Sequence, residues 1–138
     1  MTKDDCIFCK LANGVFPTNK IYEDDDFTVI LDISPANLGH SLIIPKQHYD
    51  NLFELDDELA AKVLPLAKKI GAVIKEELNA DGINIVQNNG LAAGQTVYHF
   101  HTHIIPRFDN DGCQIGWPQK EADADKLTEI AEKLAAKL

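Results

Sequence analysis

No stretch of this 138-residue chain approaches the roughly 18 apolar residues of a membrane span. The first residues, Met1 to Asp5, lack the apolar segment of a secretory signal. A helical membrane protein is excluded, and a cytoplasmic location with no membrane partner is expected. Basic residues are scarce. Thirteen Lys and Arg stand against 22 Asp and Glu, a formal net charge of −9. A general nucleic-acid binder would show a basic field, so no nucleic-acid partner is expected. A small anionic substrate remains compatible, because one local site can be positive on an acidic protein. Cysteine is also sparse, with three in all. In a reducing compartment a structural disulfide is not expected. Cys6 and Cys9 form a C-x-x-C pair, and Cys113 reads as a small apolar filler. No strand precedes that pair, which a thioredoxin-like redox motif requires, so metal binding is the better reading.

What remains is ordinary for a folded domain: 45% apolar and 25% charged residues. The length points to a single domain over 1–138, able to bury about two-thirds of its unfolded surface. Asp4-Asp5 read as the cap of a short helix carrying Cys6 to Leu11. Lys20–Glu23 and Phe27–Leu31 read as strands joined by the acidic turn Asp24-Asp25-Asp26. Ser34–Gly39 reads as a loop and His40–Pro45 as a third strand. Asp56–Leu78 has helical apolar spacing, with Pro65 as an interior breaker. Gly82–Asn88 reads as a fourth strand, and a turn-rich loop, Asn88–Gln95, leads to a fifth. Ala122–Leu138 is amphipathic, with Leu127, Ile130, Ala131, Leu134 and Leu138 on one side. The order predicts an α+β fold: a largely antiparallel sheet, one long helix, and short N- and C-terminal helices.

The most informative run is His99-Phe100-His101-Thr102-His103. On a strand, this spacing would aim all three imidazoles to one face. Aligned imidazoles can bind a metal, attack an electrophile or grip a phosphate. Just upstream, Gly90, Gly94 and the Gln95-Thr96-Val97 segment can turn backbone N–H groups toward an anion. Cys6 and Cys9 supply two thiolates. A closed structural zinc needs two more ligands, for which Cys113 and the histidines, His48 among them, are candidates.

Taken together, these residues resemble the histidine triad (HIT) family. His99-Phe-His-Thr-His-Ile-Ile105 matches its His-φ-His-φ-His-φ-φ signature. Asp32-Ile-Ser-Pro-Ala-Asn-Leu-Gly-His40 through His48 is similar to its upstream half. Asn88-Asn-Gly90 and Gly94-Gln95-Thr96-Val97 are similar to its phosphate loop. The opening Cys-Ile-Phe-Cys resembles the zinc-containing bacterial branch. The resemblance implies a nucleotide hydrolase or transferase acting at the α-phosphate of adenosine or guanosine conjugates, of phosphoramidase or dinucleoside polyphosphate hydrolase type. In it, His101 is the nucleophile, while His103 and His40 contact the phosphate. Asp32 meets the ribose hydroxyls, beside an adenine pocket walled by Ile7, Phe8 and Leu11. Asn88, Gly94, Gln95, Thr96 and Val97 hold the phosphate or the leaving group. A structural zinc falls to Cys6, Cys9, His48 and His99. Residues 1–15 thus form a zinc-binding helix and 120–138 a C-terminal helix, and the protein pairs as a homodimer. Thr102 stands where the signature has an aliphatic residue and is expected to affect packing only.

Two other readings fit the same residues. In one, His99, His101 and His103 all ligate a single catalytic metal. In the other, the pocket binds nucleotide with little turnover.

Overall fold

A computed structural model describes all residues, Met1 to Leu138. In chain order the elements are helix α1 (Ile7–Ala12), strands β1 (Lys20–Glu23), β2 (Phe27–Leu31) and β3 (Ser41–Pro45), helix α2 (Asp57–Glu77), strand β4 (Gly82–Val86), a single 3-10 turn (Leu91–Ala93), strand β5 (Thr102–Arg107) and helix α3 (Ala124–Ala135). The strands form one sheet in the order β1-β2-β3-β5-β4, and every neighbouring pair is antiparallel. The architecture is the α+β arrangement that the residue pattern predicts.

The two sheet faces are covered unequally. Phe27, Val29, Ile43, Phe100 and Ile104 pack under Val63, Leu66, Ala67, Ile70 and Ile74 of α2. On the other face Ile30, Leu42 and Ile44 pack against Ala12, with Phe8 and Leu11 alongside. Strand alternation produces this division: Leu42 and Ile44 point one way, Ile43 the other. Val29, Ile43 and Ile104 are wholly buried, each contributing about 1.5–3 kcal/mol of transfer free energy. The short α1 covers only part of its face and leaves space beside it for the site.

Several local expectations are corrected. The histidine run is not all strand, because β5 starts only at Thr102. Ile43 pairs with Thr102, so continuing that ladder would set Phe100 opposite Pro45, which has no N–H to donate. The Phe100 N–H donates to Tyr49 O instead (2.6 Å), and the chain around His99 is released from the sheet. Pro65 does not break α2. It lies on the exposed side, where the carbonyl that loses its partner meets water. Cys6, not Asp4 or Asp5, caps α1, its sulfur accepting from Cys9 N–H. Strand β4 ends at Val86, two residues before Asn88. Helix α3 starts at Ala124 behind the cap Asp123 and buries no residue, so its apolar stripe faces outward. Cys113 is half-buried rather than a core filler. No helix is long and apolar enough to cross a membrane.

Thr102 does point to the α2 side, away from the histidines. It is 2% exposed, and its Oγ1 has no hydrogen-bond partner. A buried hydroxyl left unpaired costs free energy that an apolar group of the same shape avoids. Thr102→Val is expected to raise stability by about 1 kcal/mol, measured as a higher urea midpoint with unchanged slope.

Candidate functional site

Two adjoining centres lie between α1 and the β3–β5 part of the sheet. The first joins Cys6 and Cys9 to His48 and His99, whose ligand atoms all lie within 4.8 Å of one another. His99 Nδ1 sits 3.4 Å from both sulfurs, and His48 Nδ1 sits 3.4 Å from Cys9 Sγ. A tetrahedral zinc, with Zn–S near 2.3 Å and Zn–N near 2.0 Å, spaces sulfur and nitrogen donors about 3.5 Å apart. The outer hydrogen bonds suit the same purpose. His99 Nε2–H donates to Pro45 O (2.8 Å), and His48 Nε2–H donates to Asp50 Oδ1 (2.7 Å). Each ring therefore turns a bare Nδ1 inward, as a metal ligand must. Lys3 N–H and Cys9 N–H point at the two sulfurs, each at 3.4 Å. Burial pushes His99 down to about 4, so its ring is neutral at pH 7. The donor set fits a four-coordinate metal.

The second centre holds His101, His103 and His40. His101 Nδ1–H donates to His99 O (2.7 Å), which leaves a lone pair on Nε2. The Phe8 ring meets His101 edge-on, with centroids 4.8 Å apart, and fixes the imidazole plane. Burial lowers the His101 pKa, against the opposing effects of the His99 carbonyl and Asp32. His40 is brought in by β3: Leu42 pairs with His103, so His40, two residues earlier and just before the strand, falls diagonally next to His103 on the same face. Ala36 N–H donates to His40 Nδ1 (3.0 Å). The neutral ring must then carry its proton on Nε2, which donates to His103 Nδ1 (2.9 Å). His103 in turn holds its proton on Nε2. Burial, then the neighbouring His101 and His40, push His103 down to about 4. Burial also lowers His40, with Asp32 opposing.

Asp32, His40 and His103 also cluster within 4.8 Å. There the nitrogen facing the group is the protonated Nε2 of His40, so the trio is a hydrogen-bond relay rather than a ligand set. The reading in which His99, His101 and His103 share one metal is likewise overturned. His99 Nδ1 faces sulfur, His101 Nδ1 is engaged by a carbonyl, and His103 Nδ1 faces His40.

A cleft of about 750 Å³ opens over the second centre. Its apolar wall is Ile7, Phe8, Leu11, Ile30 and Leu42. Asp32, Thr96, Val97, His101 and His103 are among the other residues that line it. Asp32 is oriented by Ser34 N–H, which donates to its Oδ1 (2.8 Å). The backbone N–H groups of Thr96 and Val97 donate to no protein acceptor, so they are free for a bound anion. Gly90 and Gly94 carry φ of 90° and 92°, left-handed values that let the loop turn there.

The other three loop residues sit differently. Gln95 is 1% exposed. Its Oε1 accepts from Gly90 N–H, and its Nε2 donates to Asp50 O and Val97 O. It braces the loop from within and, contrary to expectation, is not free to touch a phosphate. Gly94 and Asn88 are not among the residues that line the cleft; they lie beside each other, and a Cβ on Gly94 would sit 3.6 Å from Asn88 Nδ2. Residue patterning misses Asp50, which orients His48, and Ala36, which sets the His40 proton. Asp50 carries no motif, and Ala36 acts through its backbone. Pro17, Thr18 and Asn19 also line the cleft, and nothing local marks them.

The HIT domain family model matches residues 13–110. Adenosine 5'-monophosphoramidase HNT1 of Saccharomyces cerevisiae is 41% identical over 134 residues, covering 96% of this chain and 82% of that protein. The crystal structure of SMU.412c from Streptococcus mutans superposes with a TM-score of 0.93 at 41% identity, covering 99% of this chain and 87% of that one. A zinc-bound histidine triad family protein from Mycobacterium smegmatis superposes with a TM-score of 0.76 at 35% identity, covering 97% and 98%. With the domain match, these identities and the histidine geometry in agreement, this chain belongs to the histidine triad family.

Proposed function

We propose that this protein hydrolyses or transfers nucleotides at the α-phosphate of purine nucleotide conjugates, through a covalent intermediate on His101. The observation that carries this reading is the His101 tautomer. Its Nδ1–H is held by His99 O, and its bare Nε2 belongs to a ring that lines the cleft. A neutral imidazole so held is a ready nucleophile at pH 7. Its Nε2 attacks phosphorus as the bond to the leaving group breaks. The leaving group departs with that electron pair and takes a proton from water. A second water then attacks the phosphorus, His101 leaves as the neutral ring, and the water's proton passes to solvent.

The remaining residues bind and orient. His103 Nε2–H and the free N–H groups of Thr96 and Val97 stabilise the phosphoryl oxygens, with the Thr96 hydroxyl beside them. His40 holds His103 in the donating tautomer. Asp32 accepts from the ribose hydroxyls, and the Ile7, Phe8 and Leu11 wall takes the base. Gly94 and Gln95 shape the loop, and Asn88 supports it next to Gly94. The S. cerevisiae relative is named for a phosphoramidase activity, which favours an amine leaving group over a polyphosphate. Incubation with adenosine 5'-monophosphoramidate and rapid acid quench is expected to yield a nucleotidyl adduct on His101 by mass spectrometry. His101→Ala is expected to lose the adduct and about 10³-fold or more of kcat/KM. Full activity in that variant would overturn the reading. Wild-type protein that binds adenosine monophosphate but turns nothing over would identify a binding module.

The metal that fits the first centre is zinc, held by Cys6, Cys9, His48 and His99. Four protein ligands leave no open position, so its part is structural. It ties residues 1–15 to the chain that carries His101. Elemental analysis is expected to find about one zinc per chain, lost in Cys6→Ser together with thermal stability, but retained in His101→Ala.

The reading extends to a homodimer. Strand β4 leaves one sheet edge unpaired; Ile85 on that strand is 41% exposed, and Leu64 and Val73 of α2 are 67% and 56% exposed. Sedimentation equilibrium is expected to return twice the chain mass. A monomer at micromolar concentration would exclude this.

A further inference from the structure

The chain just after β5 contains a polar hub separate from the two histidine centres. Asp111 lies one residue beyond the family match, which ends at 110. Its side chain is 7% exposed, yet its carboxylate is fully engaged. Oδ2 accepts from Arg107 Nε (2.9 Å), Asn37 Nδ2 (2.9 Å) and Phe108 N–H (3.0 Å). Oδ1 accepts from Arg107 Nη2 (3.1 Å) and Cys113 N–H (2.9 Å). Arg107, and then these amides, hold the carboxyl far below the usual carboxylate range. Charge-assisted bonds of this kind, in a bidentate pair, fix geometry as well as add energy.

One of those donors leads toward the catalytic centre. Asn37 belongs to the loop between β2 and β3. Its Nδ2 also donates to Pro106 O (2.9 Å), pinning that loop to the strand that carries His103. Asn37 O accepts from His40 N–H (3.0 Å). The adjacent Ala36 N–H supplies the bond to His40 Nδ1 that sets the proton on Nε2. Gly39, at φ of 98°, completes the turn, and a Cβ there would run into the Leu78 side chain. The loop is therefore held at its base by Asp32, at its middle by Asn37 and at its end by Gly39. Only the Asn37 anchor reaches outside the β2–β3 segment to a charged group.

We propose that Asp111 is a positioning residue for the His40–His103 pair, acting through Asn37. It holds the Asn37 amide. The amide holds the 36–37 backbone, and that backbone keeps His40 as the Nε2–H tautomer that donates to His103. Asp111 touches no substrate. Without it the Ala36 N–H drifts from His40 Nδ1, the ring samples its other tautomer, and His103 loses its fixed donor. Misplacement of a catalytic group by about 1 Å can cost up to 10²-fold in rate.

The kinetic arm rests on the activity proposed above, whereas the spectroscopic arm does not. In 15N-labelled holoprotein, the His40 imidazole is expected to show a donor-type Nε2 and an acceptor-type Nδ1. In Asp111→Ala and in Asn37→Ala both shifts are expected to move toward the averaged tautomer values. Asn37→Ala leaves the Arg107–Asp111 pair intact, so it tests the link should Asp111→Ala fail to fold. With adenosine 5'-monophosphoramidate, each single variant is expected to lose about tenfold in kcat with KM within about twofold. The double variant is expected to lose no more than either one, because both break the same chain of contacts. Arg107→Gln, which removes the ion pair but leaves Asn37 on Asp111, is expected to lower the melting temperature and keep the His40 shifts. Unchanged His40 shifts in Asn37→Ala, additive kinetic losses, or the same tautomer averaging in Arg107→Gln would each overturn the proposal. Absence of turnover in the wild-type protein, with the shift changes still seen in the variants, would fault the activity reading and leave this one standing.

Discussion

Three register pairs between β3 and β5 set the distances on which both centres depend: Ser41 with Ile104, Leu42 with His103 and Ile43 with Thr102. Side chains alternate along each strand, so this register sends Ile43, Ile104 and Thr102 to the α2 core and Leu42 and His103 to the other face. His40 then stands beside His103 because it precedes the strand that pairs with it. A slip by one residue would carry His103 under α2 and Ile104 into the cleft. The core is thus what selects the register, and the register is what assembles the histidines.

The ladder also has to stop. Pro45 ends the usable edge of β3, and the chain opposite it is released. His99 then turns toward α1, where its Nε2–H closes on the Pro45 carbonyl. His101 closes on the carbonyl of His99. Three histidines that begin in one pattern thereby receive three different environments. One faces the cysteine sulfurs, one keeps a bare nitrogen in the cleft, and one is bonded to a fourth histidine. Burial keeps all three neutral near pH 7, which suits a ligand, a nucleophile and a neutral hydrogen-bond donor alike.

Much of this was legible in the residues. Strands β1 and β2 coincide with their expected bounds, and α2 differs by one residue at each end. Apolar periodicity is a local property, and these elements obey it. The C-x-x-C pair and the histidine run announced their chemistry because their types and spacings are uncommon. Other residues misled for identifiable reasons. Pro65 breaks a helix only where its missing bond is buried, and here it is exposed. The alternating run from His99 suggested strand throughout, although a proline on a distant segment ends it. Gln95 looked like a free amide donor, yet folding surrounds it with Gly90, Asp50 and Val97. The stripe on α3 correctly signalled a helix but not what covers it, since nothing in this chain does.

By itself the sequence determined the element types, the inward-facing residues and the stock of thiols and imidazoles. Those follow from local periodicity and from the chemistry of each side chain. Tertiary structure alone decided which nitrogen of each histidine carries its proton. That choice is made by Pro45 O, His99 O, Asp50 and Ala36 N–H, three of them backbone groups whose identity no side chain encodes. A proton's position depends on the hydrogen-bond partner that folding supplies, and for His99 that partner, Pro45 O, comes from a strand far from the ring in the chain.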